Sequence, residues 1–428
     1  MTQHRRLIRR GAFTGAVAIG AIVLAGCSGT TDDADGSSSF SLGFPVSNEE
    51  ETAYEILATQ YMDEHPDVEI TINRMPGESY NTNIRTQLQG GNAPDVFLSA
   101  PGNGQAISIL PLGEAGLVEP LGDTAAGLIP EGSEHQFEVD GTVYGQPLNI
   151  AAAGVVFNQT AAEAAGITEY PSDWQGVLAA CETVAATGGS FFVVAGAVGA
   201  NAGMMAQAIA ATRVYADTPD WNTQRADGDV TFADSEGWAD TLQAVVDMND
   251  AGCFQGGVEG AGFDAITNGL VQGTSTAMFG PSGTTRDLTQ AADGAATFLA
   301  ETFPPVDAAD GVFGFASSTY SYSIAASSEN KEAAHAFLDW MAEPEQAERI
   351  AEESGTLPIT GYADMDFTGT AFEPLADMLA NGDFVPLPNS DWANSAVYDA
   401  LGAGVQGLFT GQKSVDQVLA DLDSAWGE

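Results

Sequence analysis

Near the start of the ordered sequence, apolar and polar residues follow two alternating periods. Two short runs, at 40–44 and 68–72, alternate between apolar and polar residues, and the segment 93–98 is a turn that leads into a short apolar run, which is typical of strands. Between them, at 54–62 and 80–90, apolar residues recur every three or four positions, which predicts helices with one buried face. Strands that alternate with helices favour an α/β domain with a largely parallel sheet.

The same alternation continues through the rest of the chain. Predicted strands lie at 155–157, 191–195, 277–279 and 322–325, and predicted helices lie at 174–186, at 234–249, from 329 onwards and over 394–426, the last interrupted by glycines around 404–411. A chain of 428 residues is long enough for two such domains of ordinary size.

The first 26 residues have the pattern of an export signal. Four arginines within the first ten residues precede an apolar run at 11–24, which small residues follow. The run is shorter than the ~20 residues of a spanning helix, which favours a cleaved leader over a single-pass anchor with an incidental cysteine.

The end of this leader, Leu24-Ala25-Gly26-Cys27, resembles the lipobox of bacterial lipoproteins. This resemblance implies cleavage before Cys27 and a lipid on its sulfur, so the chain is expected to be exported and anchored to the outer face of the cell membrane. Residues 27–39 are small and polar, which predicts a flexible tether.

The charge balance excludes several classes of partner. The chain has 59 acidic and 12 basic residues, and four of those 12 are in the leader. Such an acidic surface repels nucleic acid and anionic headgroups. The acids are scattered, without the spacing of a calcium loop, so no metal site is predicted.

No residue pattern marks an enzyme. Three of the four histidines, His65, His135 and His335, lie in the body of the chain, far apart and without metal-ligand spacing. No nucleophile elbow or phosphate-binding loop is present. We therefore expect neither catalysis nor a cofactor, and a secreted carbohydrate-active enzyme is a remote alternative because many acids could pair.

Apart from Cys27, the chain has two cysteines, Cys181 and Cys253. An oxidising compartment and an even count favour a disulfide between them, and the alternative is two separate buried thiols. The bond would close a loop of roughly 70 residues, worth about 4 kcal/mol in the chain-entropy model.

A series of short motifs in a fixed order resembles the family 1 extracellular solute-binding proteins of ABC importers. The motifs are Gly91-Asn92-Ala93-Pro94-Asp95-Val96, Tyr144-Gly145-Gln146-Pro147, Val156-Phe157-Asn158, Pro171-Ser172-Asp173-Trp174, Gly269 to Gly273 before Ala277-Met278, Ser328 to Ala334, Gly382 to Pro386, and Gly411 to Leu422. Each motif alone is weak, whereas their order and spacing are specific.

The resemblance implies an α/β fold of the periplasmic-binding-protein type II, with two lobes, a central ligand cleft and a hinge of several crossings. The first lobe is expected at 40–148 and 312–358, and the second lobe at 149–306 and 359–428. It also implies a monomer that captures a small solute, most simply a sugar or oligosaccharide, and delivers it to membrane permease subunits.

Ligand contacts follow from the same resemblance. Trp392 lies where the family has a stacking aromatic, and the alternative is a packed core residue. Asn48 and Glu49 follow the first predicted strand, where Asn48 could equally cap a helix. The other candidates lie in loops or at the predicted hinge, where packing is as good an explanation; they are Asn103, Asn149, Ser282, Gly283 and Tyr320.

Departures from the family pattern bear on the ligand. Ser282 stands where a stacking tryptophan is expected, Gly102 and Asn103 replace a charged pair, and Ala151 replaces an acid at the hinge. Maltose is therefore an improbable ligand, and another sugar, a sugar alcohol or a non-sugar solute remains open. Arg286 could meet an acidic ligand, although a surface ion pair explains it more simply. A ligand-sensing protein would share the fold and the cleft.

Overall fold

A computed structural model describes residues 38–46, 51–130 and 132–427, apart from the side chain of residue 78. Its helices are α1 (Ala53–Glu64), α2 (Gly77–Gly90), α3 (Ile109–Glu114), α4 (Asp123–Ala126), α5 (Gln159–Ala165), α6 (Trp174–Ala185), α7 (Gly199–Ala210), α8 (Trp221–Asp227), α9 (Glu236–Asp250), α10 (Phe263–Val271), α11 (Thr284–Ala291), α12 (Lys331–Met341), α13 (Pro344–Ser354), α14 (Ala376–Asn381), α15 (Ser395–Phe409) and α16 (Val415–Trp426). Within these ranges no helix is long and apolar enough to cross a bilayer.

The strands are β1 (Ser38–Val46), β2 (Val68–Pro76), β3 (Val96–Ser99), β4 (Glu138–Val139), β5 (Thr142–Val143), β6 (Gln146–Pro147), β7 (Asn149–Asn158), β8 (Ser190–Val193), β9 (Ser275–Pro281), β10 (Phe298–Glu301), β11 (Gly314–Ser317), β12 (Ser321–Ile324), β13 (Leu357–Pro358) and β14 (Phe384–Val385). Two sheets contain all of these strands except the β4–β5 hairpin.

The first lobe is built on a five-stranded sheet in the order β2-β1-β3-β12-β6. β1 is parallel to β2 and β3, and the returning strand β12 is antiparallel to β3. Leu42 and Phe97 are fully buried under the sheet with Leu57 of α1 and Phe337 of α12. The alternating pattern of the early sequence is thus explained by a half-buried parallel sheet under amphipathic helices.

The second lobe is built on a seven-stranded sheet in the order β14-β11-β7-β9-β8, with β10 and β13 also paired to β7. β7 is buried along its whole length, because it has neighbours on both edges and helices over it. The predicted return segment at 312–358 divides between the sheets, since β11 pairs with β7 whereas β12 pairs with β3.

The structure places the interruption predicted at 404–411 slightly later, at 410–414 between α15 and α16. α15 continues to Phe409 although it contains several glycines. Residues are glycine at these positions because neighbouring helices approach too closely for a side chain. A Cβ on Gly402 would lie 2.3 Å from the carbonyl oxygen of Gly199 at the start of α7, and one on Gly404 would lie 2.4 Å from Val418 of α16. Gly402 and Gly404 mark helix–helix contacts, whereas Gly411, with a φ of 66°, lies in the turn after α15.

Candidate functional site

The two sheets meet where the chain crosses between them, and this boundary positions the candidate site. β6 of the first lobe is followed at once by β7 of the second, with only Leu148 between them. The chain returns between β11 and β12, and it crosses again after α13, where β13 pairs with the first residues of β7.

Asn149 and Ser282 come together at this boundary. The Asn149 amide nitrogen donates to Ser354 Oγ at 3.2 Å, and the Ser282 backbone N–H donates to the Ala152 carbonyl oxygen at 2.8 Å. Gly283 packs directly on the Ser354 carbonyl, which leaves no room for a Cβ. Three of the predicted residues therefore surround the end of α13.

This cluster contains unsatisfied acceptors. Asn149 is 3% exposed and Ser282 is 2% exposed, yet Asn149 Oδ1 and Ser282 Oγ have no hydrogen-bond partner. Buried polar atoms in proteins are nearly always paired. The two atoms are buried without a protein partner, so a hydroxyl group or water would satisfy them if the lobe boundary opened.

Tyr320 lies in the β11–β12 crossing and is half-buried. Its phenol faces Tyr54, at the start of α1. The pKa of Tyr54 is raised mainly by burial and to a smaller extent by the nearby Tyr320. The Tyr54 ring is 6.3 Å from that of Tyr322. Sequence reasoning placed Tyr54 only on the buried face of a helix and missed this tyrosine group; its position on the first turn of α1, shortly after the strand predicted at 40–44, was the available signal.

Asn103 lies in the loop that follows β3. Its backbone N–H donates to the Ser390 carbonyl oxygen at 2.7 Å, across the boundary between the lobes, and its side chain is half-buried. Asn103 is therefore at the junction of the lobes, separate from the cluster around Asn149.

The structure places Trp392 in the core, which corrects the prediction that it stacks on a ligand. Its side chain is 0% exposed, its ring packs edge-to-face on Phe232 and Trp238, and its Nε1 donates to Asn222 Oδ1 at 3.3 Å. Both faces of the ring are covered by protein, so the alternative of a packed core tryptophan describes this residue.

Tyr398 is the aromatic residue that sequence reasoning missed. It lies on the first turn of α15, is half-buried, and its ring is 6.3 Å from that of Trp392. Its hydroxyl donates to the Ala200 carbonyl oxygen at 2.6 Å, beyond the carboxyl end of β8. In α/β proteins ligands bind at the carboxyl ends of strands. The sequence signal for the position of Tyr398 was Asn394, which caps α15 and so puts Tyr398 on its first turn.

Three predicted residues lie outside the described residues: Asn48 and Glu49 of the candidate ligand site, and Cys27 of the lipidation site.

Most basic side chains of the described residues form ion pairs. Arg286 pairs with Glu353 at 2.7 Å. An ion pair was the simpler of the two explanations offered for Arg286 from the sequence. Four other basic side chains are paired in the same way. Over the described ranges, no group of three potential metal ligands occurs.

Cys181 of α6 and Cys253, which follows α9, are bonded in the structure, with 2.10 Å between the sulfur atoms. Both are fully buried in the core of the second lobe. The bond therefore ties two helices of that lobe and lies away from the boundary cluster.

Several known proteins resemble this chain in sequence or in fold. A binding protein of Brucella abortus (strain 2308) is 23% identical over 368 residues, which is 84% of this chain and 85% of that protein. Among solved structures, one from work on xylan utilisation by the thermophilic bacterium Caldanaerobius polysaccharolyticus has a TM-score of 0.77 at 19% identity, covering 90% of this chain and 99% of the other. A chitin oligosaccharide binding protein has a TM-score of 0.73 at 19% identity, covering 91% and 98%.

A third structure, the solute-binding protein RafE in complex with raffinose, has a TM-score of 0.72 at 18% identity, covering 91% of this chain and 98% of that one. At such identities the likeness shows a shared two-lobed fold. The family model of the bacterial extracellular solute-binding proteins matches residues 46–348. The chain therefore belongs to the family of bacterial extracellular solute-binding proteins.

Proposed function

We propose that this protein is the substrate-binding component of an ABC importer and captures a neutral sugar or oligosaccharide between its lobes. Lipid on Cys27 would hold it at the outer face of the membrane, where it delivers the ligand to permease subunits without altering it. Membership of the family supports the binding role. Two of the structures with the same fold carry the names of oligosaccharide or raffinose binders, which supports the class of ligand.

The single observation that carries this proposal is the chemistry at the lobe boundary. Asn149 and Ser282 carry neutral hydrogen-bonding atoms without a protein partner, and Tyr54 and Tyr320 are half-buried aromatics of the first lobe. Tyr398 is a half-buried aromatic of the second lobe. Sugar hydroxyls are bound by neutral amides and hydroxyls, and the apolar side of a sugar ring packs on aromatic faces.

The charge distribution supports a neutral ligand over an anionic one. Arg286, the basic residue near the Ser282 loop, is committed to Glu353. A desolvated anion without a cationic partner would be strongly disfavoured in the cleft.

Calorimetric titration with xylo-, chito- and raffinose-series oligosaccharides tests the proposal, followed by recovery of the ligand for mass spectrometry. We expect one series to bind with a stoichiometry near one and to be recovered intact. Recovery of hydrolysed sugar would contradict a binding role, and binding restricted to charged solutes would contradict the sugar.

A further inference from the structure

Besides the chain crossings, the lobes touch at a second place, which we call the interlobe seam: residues 102–104 and 135–136 of the first lobe against residues 389–391 of the second. The Asn103 N–H donates to the Ser390 carbonyl oxygen at 2.7 Å. The Gln136 side-chain amide donates to Asp391 Oδ1 at 2.7 Å, and His135 Nε2 lies 3.1 Å from the same oxygen.

Each half of the seam is fixed within its own lobe. On the first-lobe side, the Gly102 N–H donates to the Gln136 carbonyl oxygen at 2.8 Å, which joins the two segments. On the other side, Asn222 donates to the Pro388 carbonyl oxygen at 3.0 Å, and Trp392 is buried in the core of the second lobe. The seam is therefore a contact between segments that are each held by hydrogen bonds or packing within their own lobe.

The backbones in the seam approach too closely for side chains. A Cβ on Gly102 would lie 1.8 Å from the Ser390 carbonyl oxygen, and one on Gly104 would lie 1.8 Å from the Asn389 carbonyl oxygen. Such distances never occur between real atoms, so only glycine at these two positions lets the Asn103 N–H reach Ser390. The sequence Gly102-Asn103-Gly104 is explained by this contact.

The charged groups at the seam are few. Asp391 and Glu134 face His135, and Tyr215 faces Asp391 from the core of the second lobe. The hydrogen bond to Asp391 raises the pKa of His135, which burial opposes. The His135 side chain is 57% exposed, so the effect of its protonation on the contact is modest.

We propose that the interlobe seam is a proton-sensitive clamp: Asp391, held by Gln136 and by protonated His135, keeps the two lobes in contact at residues 102–104. Lowering the pH tightens the clamp because the imidazolium attracts the carboxylate, whereas raising the pH leaves only the Gln136 hydrogen bond and the backbone contact. An influence of the clamp on ligand affinity rests on the proposed function, in which the ligand binds between the two lobes that the seam joins.

Amide hydrogen exchange of the full-length chain, without ligand, tests the clamp through the Asn103 N–H, which donates across the seam. We expect Asp391→Asn to lower the protection factor of Asn103 about tenfold, in line with the loss of a charged hydrogen-bond acceptor. Asp399→Asn removes the same charge from an exposed position on α15 and should leave Asn103 unchanged. Equal protection in wild type and Asp391→Asn, or an equal loss in both variants, would overturn the proposal.

Two further variants keep the test decisive if Asp391→Asn fails to fold. In wild type, protection of Asn103 should fall about threefold between pH 5.5 and 8.5, and His135→Gln should remove this pH step. Gly104→Ala should abolish protection of Asn103 at every pH. A pH step that survives His135→Gln, or protection that survives Gly104→Ala, would contradict the clamp. Because no sugar is present, these outcomes are independent of whether the protein binds one.

Discussion

The indole Nε1 of Trp392 donates to Asn222 Oδ1, and the same oxygen accepts the hydroxyl of Tyr215 at 2.8 Å. One amide side chain thus ties the segment before α15 to the core of the second lobe. This segment carries one side of the interlobe seam. Trp392 therefore supports the lobe boundary from the core of the second lobe and is not part of the surface at that boundary.

The Trp392→Ala variant should therefore be less stable to unfolding than the wild-type protein. Removal of a fully buried tryptophan leaves a large cavity, and we expect the free energy of unfolding to fall by about 3–5 kcal/mol. Denaturant unfolding measures this, and Trp392→Phe is the milder control. A variant with unchanged stability and weakened ligand affinity would return Trp392 to the binding site.

Tyr398→Ala should weaken sugar binding about tenfold, because it removes an aromatic face at the carboxyl end of β8. Tyr398→Phe is the matched control: it keeps the ring, loses only the hydrogen bond to Ala200, and should bind nearly as well as wild type. Calorimetric titration compares the three proteins. Equal affinity of all three would remove Tyr398 from the site.

Glu301 gives a pH dependence of stability. Burial raises the pKa of its carboxyl to about 8, whereas in the unfolded chain the pKa is near the ordinary value of 4.5. The unfolded chain therefore loses this proton first, and the contribution of Glu301 to stability falls as the pH rises from about 4.5 to about 8.

We expect Glu301→Gln to be more stable than wild type at pH 8.5 by about 2 kcal/mol or more, and the gain to shrink towards pH 5. Denaturant unfolding at both pH values measures the difference between the two proteins, which cancels the contribution of the other acids. A difference that is independent of pH would show that Glu301 ionises normally.

Counting thiols tests the bond between Cys181 and Cys253. We expect no free thiol in the denatured, unreduced chain from Ser28 onwards, and two after reduction. Reduction should lower the free energy of unfolding by about 4 kcal/mol, because the bond closes a loop spanning 72 positions. Two thiols before reduction would mean that the cysteines are separate.

Much of the first lobe could be predicted from the sequence because its strands and helices each bury one face. α7 could not, because Gly199–Ala210 is small or apolar on nearly every side and is buried in the second lobe, which leaves no polar face to reveal the period. A helix buried all round lacks the amphipathic signal on which such a prediction depends.

The candidate site was harder to predict for a related reason. Trp392 and Tyr398 are six positions apart, and nothing in their sequence says which ring faces the core. Packing against Phe232 and Trp238 decides it. The family resemblance put Asn149 at the first crossing and Ser282 and Gly283 in the loop after a strand. That Asn149 and Gly283 meet at Ser354, which comes from a third crossing, was not predicted.

A thermal-shift screen of the chain from Ser28 onwards, against neutral sugars, polyols, amino acids and polyamines, is the most direct test of sugar binding. A ligand at 100 times its dissociation constant adds about 2.7 kcal/mol to stability, which raises the unfolding temperature measurably. We expect a shift with one class of neutral sugar and none with charged solutes. A shift with amino acids or polyamines alone would contradict sugar binding.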